Sequence, residues 1–173
     1  FLFGEIMFGD YKCILSDDMM DSVTNYECQK GLVSSINSMN LFEIAYSLNR
    51  QFGPDPWALY PGRLLQSFVD NHDLVRAATA LADKEELPVL YGLLYGMPGI
   101  PTVYYGSEWG MEGEKREGDH EIRLPAEEPE ENELTGIISS YALARKKSPA
   151  LMHGDYRQLL VTNRQLVFER SYE

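Results

Sequence analysis

The chain is poor in cysteine, histidine and positive charge. Of its 173 residues only two are Cys and three are His. Cys13 and Cys28 stand too far apart for a zinc knuckle or a redox pair, and two thiols are too few for a disulfide scaffold. Both are expected to be reduced and buried, since a free Cys usually behaves as a small hydrophobe. Fifteen Lys and Arg against 27 Asp and Glu leave a net charge of −12, which repels phosphate backbones and anionic lipid surfaces, so neither nucleic acid nor a membrane is an expected partner. The run Leu87 to Gly106 carries no charge and is long enough to raise the question of a spanning helix. Pro88, Pro98 and Pro101, with Gly92, Gly96 and Gly99, argue against one, and the run reads instead as a buried helix leading into a buried strand. No basic start and apolar stretch marks a signal peptide, and the chain opens on Phe1 rather than Met, as if its natural start lay upstream. Location is left nearly open, with the cytoplasm favoured. There is no internal repeat and no low-complexity tract.

What is present suits one domain of ordinary size: 44% of the residues are apolar, enough to bury a core. Eleven Tyr, seven Phe and two Trp serve cores and sugar-binding clefts equally well. Phe1 to Phe8 is an apolar run interrupted by Gly4 and Glu5, short enough for a strand covered on both faces. Ser22 to Tyr26 reads as a second strand, Gln29 to Phe52 as a helix stopped by Gly53-Pro54-Asp55-Pro56, and Leu64 to Val69 as a third strand ending in Asp70-Asn71-His72-Asp73. Leu74 to Tyr95 is helical in pattern, and Ile100 to Tyr105 is a fourth strand, rich in β-branched and aromatic residues. Glu112 to Glu133 holds ten acids against Lys115, Arg116 and Arg123, a solvated loop. Leu134 to Lys147 is a last helix, and Tyr156 to Tyr172 alternates like a hairpin turning at Thr162-Asn163-Arg164. Strand and helix in alternation predict an α/β fold with a parallel sheet and right-handed crossovers.

Polar residues gather where the strands end: Glu5 in the first, Asp70 to Asp73 after the third, Glu108 and Trp109 after the fourth. In α/β barrels that end of the strands holds the active site. Asp73 also suits the cap of the following helix. Glu5, flanked by Phe3, Ile6 and Met7, must be paired or bear a large desolvation cost. Cleaving a glycosidic bond takes a proton donor whose pKa is raised by apolar neighbours, a second carboxylate, and negative charge to stabilise a cationic transition state. Glu5 and Asp73 suit such roles, and His72 suits a hydrogen bond to a sugar hydroxyl, or one to nearby backbone. A metal site from Asp70, His72 and Asp73 is a weak alternative, because successive residues on a strand face opposite ways.

The residues themselves resemble a known family. Phe68-Val69-Asp70-Asn71-His72-Asp73 resembles the Phe-x-x-Asn-His-Asp motif of the α-amylase family of glycoside hydrolases. Gly99-Ile100-Pro101-Thr102-Val103-Tyr104-Tyr105-Gly106-Ser107-Glu108-Trp109-Gly110 is similar to that family's last barrel strand. Gly4-Glu5 lies upstream where the family carries its catalytic acid, and Asp21 to Tyr26 is similar to the strand that follows; the order is kept over residues 1 to 152. The resemblance implies the second half, strands five to eight, of a (β/α)8 TIM barrel over residues 1 to 152, followed from 153 to 173 by the start of a C-terminal β-sandwich.

It also implies Glu5 as general acid/base, Asp73 as the carboxylate that stabilises the transition state, and His72 with Asn71 on the sugar side. Asp119 and Arg123 are similar to a pair that binds a neighbouring part of that sugar, although four residues apart they also suit a surface ion pair. A retaining mechanism places two carboxyl groups about 5 Å apart. The family's nucleophile, an Asp two residues after an Arg on the fourth strand, has no counterpart before Glu5, nor has a second substrate-binding His. Ile6-Met7-Phe8 also stands where many members place a Trp.

The expectation is therefore part of a retaining enzyme acting on α-glucans, inactive by itself, which self-associates or pairs with the missing barrel half to cover its open strand edges. A non-catalytic sugar-binding or structural relative is the alternative, as is a glucanotransferase in place of a hydrolase. No cofactor is expected. Calcium is common in the family, but no site for it is identified here.

Overall fold

The computed structural model describes residues 1–7, 10–116, 118–125, 128–129 and 131–173. Phe8, which closes the first predicted strand, lies outside the described residues. Four short strands lie side by side, all parallel. β1 (Phe3–Gly4) pairs with β2 (Ser22–Val23), and β3 (Gln66–Ser67) pairs with β4 (Ile100–Pro101). A parallel bridge between Thr24 and Gln66 joins the two pairs into one run in chain order. Each strand is shorter than its sequence segment, because ladder hydrogen bonds stop where the chain begins to turn.

Helices follow in the expected places but are broken. The long pattern after β2 divides into α1 (Tyr26–Asn37) and α2 (Phe42–Phe52). The break falls at Met39, whose φ of 49° is the left-handed conformation that ends a helix. The pattern after β3 divides into α3 (Ala77–Ala80), a 3-10 turn at Lys84–Glu86 capped by Asp83, and α4 (Leu87–Gly96). Pro88 dictates that division, since it fits the first turn of a helix and not an interior. α5 (Glu133–Lys146) opens on a capping box of Asn132 and Thr135, and α6 (Pro149–His153) is a single turn.

The core joins the strands to these helices through Val23, Leu32, Ile44, Leu48, Leu65, Leu90 and Leu94. Arg145 is buried and donates to the carbonyls of Tyr95 (2.6 Å), Met97 (3.0 Å) and Gly99 (2.5 Å). It thereby satisfies the open C-terminal end of α4 just before β4. The terminal segment is the predicted hairpin, β5 (Asp155–Val161) antiparallel to β6 (Leu166–Ser171), closed by Thr162 N–H donating to the Gln165 carbonyl. Tyr156 places it on the same core, and Asn49 on α2 donates to Gln158 at 2.6 Å.

Among the described residues no helix is long and apolar enough to cross a membrane. Of the two thiols expected to be buried, only Cys28 is; Cys13 is exposed. A short 3-10 turn at Tyr11–Cys13 explains the difference, because it turns Tyr11 inward onto Tyr60 and leaves Cys13 facing out.

Candidate active site

Because the four strands are parallel, their carboxyl ends share one rim. Glu5 leaves the end of β1, and its backbone is fixed from β2. Thr24 N–H donates to Gly4 O, while the Thr24 hydroxyl accepts from Ile6 N–H (2.8 Å) and donates to Ile6 O (2.9 Å). The turn after β3 brings His72 and Asp73 to the same place. One polar atom from each of Glu5, His72 and Asp73 lies within 4.8 Å of the other two, so residues far apart in sequence meet at one mouth. His72 Nε2 is 3.5 Å from Asp73 Oδ2.

Glu5 is exposed. The apolar residues around it in sequence do not enclose it, because Phe3 and Met7 are themselves exposed at the rim. Its hydrogen-bond partner is the Tyr26 hydroxyl, which donates to Glu5 Oε1 at 3.2 Å. Asn71 is turned into the protein: its Nδ2 donates to the Tyr26 oxygen at 2.8 Å and its Oδ1 accepts Asp73 N–H at 2.9 Å.

Asp73 caps no helix. Asp70 takes that part, accepting Ala77 N–H at 2.8 Å and the Ser107 hydroxyl at 2.7 Å. Buried at 1% exposure, Asp70 faces inward and cannot join His72 and Asp73 in a metal site. Burial pushes its carboxyl above the usual carboxylate range, and the two hydrogen bonds and nearby Arg76 offset this only in part. Arg76, fully buried, lies against the rings of both Tyr104 (4.1 Å) and Tyr105 (4.7 Å), which themselves meet edge-on, and donates to Tyr105 O at 2.5 Å. The polar floor of the site is thus built from the end of β3 and the loop after β4.

The acidic loop returns across this rim. It is anchored by Ile122, which is fully buried in a 3-10 turn at Glu121–Arg123. Asp119 and Arg123 form the expected pair, 2.7 Å apart, and the guanidinium reaches further. The same Arg123 nitrogen contacts Asp73 Oδ1 at 2.7 Å, and Nε donates to His72 O at 2.8 Å. Lys115 Nζ donates to Asp73 O at 2.9 Å. Asp73 therefore has its positive partner within the chain.

The sequence reading missed Tyr26, Arg76 and Lys115. Tyr26 carried one signal: Asn25, before a helical pattern, is a preferred N-cap and makes Tyr26 the first helical residue instead of a strand end.

Four parallel strands with polar side chains at their carboxyl ends define the class as an α/β fold of the barrel type with an acidic mouth. The model of the α-amylase catalytic domain matches residues 1–153. The chain belongs to the α-amylase family. It is 30% identical over 106 residues to a cyclomaltodextrin glucanotransferase of Bacillus sp. (strain 1011), covering 61% of this chain and 15% of that protein. It is also 30% identical over 107 residues to an α-amylase of Niallia circulans, covering 61% of this chain and 20% of that protein. The solved cyclic α-maltosyl-(1→6)-maltose hydrolase of Arthrobacter globiformis superposes with a TM-score of 0.81 at 24% identity, over 98% of this chain and 39% of that one. The chain thus spans a small part of the curated relatives and about two fifths of the solved neighbour.

Proposed function

We propose that this chain is strands five to eight of a retaining (β/α)8 glycosidase barrel acting on α-glucans, with residues 153–173 opening the β-sandwich that follows. The observation that carries this reading is the convergence of Glu5 and Asp73, with His72, within 4.8 Å at the strand ends. In this reading Glu5 protonates the departing glycosidic oxygen and later takes a proton from water. Asp73 faces the positive charge that develops at the sugar, and Arg123 keeps it aimed. His72 donates to a sugar hydroxyl of the cleaved unit, and Asn71 keeps one amide hydrogen for the same purpose. Asp119 and Arg123 take a neighbouring part of that sugar. The nucleophile, an Asp two residues after an Arg, comes from outside these 173 residues, so the chain alone is inactive.

Assay of starch and maltooligosaccharides with the full-length product tests the assignment. Glu5→Gln and Asp73→Asn are each expected to reduce turnover by about a hundredfold or more; full activity in either refutes it. The names of the curated relatives favour a second reading, transfer to a sugar hydroxyl in place of water. Cyclic or lengthened products from maltooligosaccharide would select it, and glucose or maltose alone would select hydrolysis.

A further inference from the structure

Among the described residues Glu5 has one hydrogen-bond partner, Tyr26, and Tyr26 is held with unusual care. Its ring is 8% exposed and meets Phe68 edge-on, with centroids 5.0 Å apart. Its backbone is placed by Asn25, whose Oδ1 caps α1 by accepting Cys28 N–H at 3.1 Å. Asn25 is locked in turn by a reciprocal amide pair with the fully buried Gln51, at 2.7 and 3.1 Å. A phenol this constrained has one position to offer its neighbour.

The direction of its hydrogen is also settled. A phenol carries one hydrogen and accepts through its lone pairs. Asp73 N–H occupies Asn71 Oδ1, which turns the Asn71 amide nitrogen toward the Tyr26 oxygen. That oxygen is therefore an acceptor from Asn71, and its own hydrogen is left for Glu5 Oε1. A donor aimed at a carboxyl oxygen favours the ionised form. Burial, and then the negative charges of Glu5 and Asp73, raise the Tyr26 phenol above its ordinary value, so it stays a donor across the neutral range.

We propose that Tyr26 is a positioning residue that orients Glu5 for proton transfer through the hydrogen bond it donates to Oε1. The contact chain Asp73 N–H, Asn71, Tyr26, Glu5 joins the acid to the turn that carries Asp73. The inference rests on the reading of Glu5 as the proton donor. Tyr26 transfers no proton itself; it steadies the carboxylate left when Glu5 has given its proton to the leaving oxygen. The other groups facing Glu5 are His72 and Asp73 from the turn after β3, with Arg123 of the acidic loop behind Asp73. Loss of the Tyr26 hydroxyl frees Asn71 Nδ2 but leaves Asn71 Oδ1 on Asp73 N–H, so the turn that carries His72 and Asp73 keeps that hold.

Tyr26→Phe in the full-length protein keeps the ring and its Phe68 contact and removes the donor to Glu5 together with the acceptor for Asn71 Nδ2. On maltooligosaccharide kcat should fall about tenfold with KM within about twofold, and the alkaline limb of kcat/KM should move up by about one pH unit. The sign follows from the lost donor: the carboxylate is less favoured, so the acid stays protonated to higher pH. The carboxyl carbon of Glu5, followed by NMR in protein labelled with 13C-glutamate, should show its midpoint rising by a similar amount. An unmoved limb and midpoint would overturn the inference, as would a change confined to KM, which would place Tyr26 against the sugar instead. If Glu5→Gln keeps full activity, the enzymatic reading fails separately, and the NMR midpoint alone then decides whether Tyr26 governs Glu5.

Discussion

Arg123 places one guanidinium nitrogen 2.7 Å from Asp73 Oδ1 while its Nε donates to the His72 carbonyl at 2.8 Å. One side chain from the acidic loop thus holds both the carboxylate and the backbone of the turn that presents it. The fork geometry is what makes this possible, because a guanidinium offers several donors in fixed directions and an ammonium offers a point charge.

Arg123→Lys is therefore not conservative here. It should keep the charge and lose the two-point hold, lowering kcat/KM of the full-length protein by about tenfold or more. Kinetics on maltooligosaccharide check this, and a Lys variant as active as the parent would show that Asp73 is positioned by other means.

Asp70 gives a pH signature that does not depend on activity. Its carboxyl is raised in the folded protein by burial, so the folded state holds the proton more tightly than the unfolded chain. Stability attributable to Asp70 then falls as pH rises from the ordinary carboxylate range, about 3.9, through the raised folded value, and levels off above it. Asp70→Asn removes that loss. Urea unfolding of both proteins from pH 3 to 7 should show the variant gaining on the parent as pH rises, and a constant difference would contradict the assignment.

Gly99 sits where β4 meets β3. Its φ is +120°, and a Cβ there would lie 2.4 Å from Ser67 Oγ and 2.6 Å from Leu65 O. Gly99→Ala should cost about 2 kcal/mol or more, from backbone strain and from pushing the two strands apart. Thermal unfolding reads this directly; an unchanged Tm would mean that the strands approach less closely than described.

The outer edge of β1 suggests association. Phe1, Leu2 and Phe3 are 86%, 59% and 45% exposed, and apolar strand edges invite pairing. The 173-residue chain studied alone should sediment as a dimer or larger species, and a monodisperse monomer would count against an open barrel edge.

How much of this was legible in the sequence varies with distance along the chain. Strand and helix order followed from local pattern, and the parallel bridge between Thr24 and Gln66 agrees with it. Helix length was misread where one residue decides the matter: Met39 in the left-handed conformation, and Pro88, which must begin a helix. Glu5 and Asp73 were legible as polar residues at strand ends. Their surroundings were not: apolar neighbours in sequence suggested enclosure for Glu5, yet Phe3 and Met7 lie exposed beside it. Arg123 reads naturally as half of an (i, i+4) pair with Asp119. That it also reaches Asp73 depends on the path of the loop, which the burial of Ile122 directs and no local pattern encodes.

The most direct test of Glu5 as the proton donor compares two substrates that differ only in how much help the leaving group requires. Fluoride departs without protonation, whereas a sugar alkoxide does not. In the full-length protein Glu5→Gln should lose at least about a hundredfold in kcat/KM on starch while retaining most of the parent's kcat/KM on α-maltosyl fluoride, a ratio that reports the steps up to departure of the leaving group and not the later step in which Glu5 acts as base. Equal losses on the two substrates, or none on starch, would contradict the role assigned to Glu5.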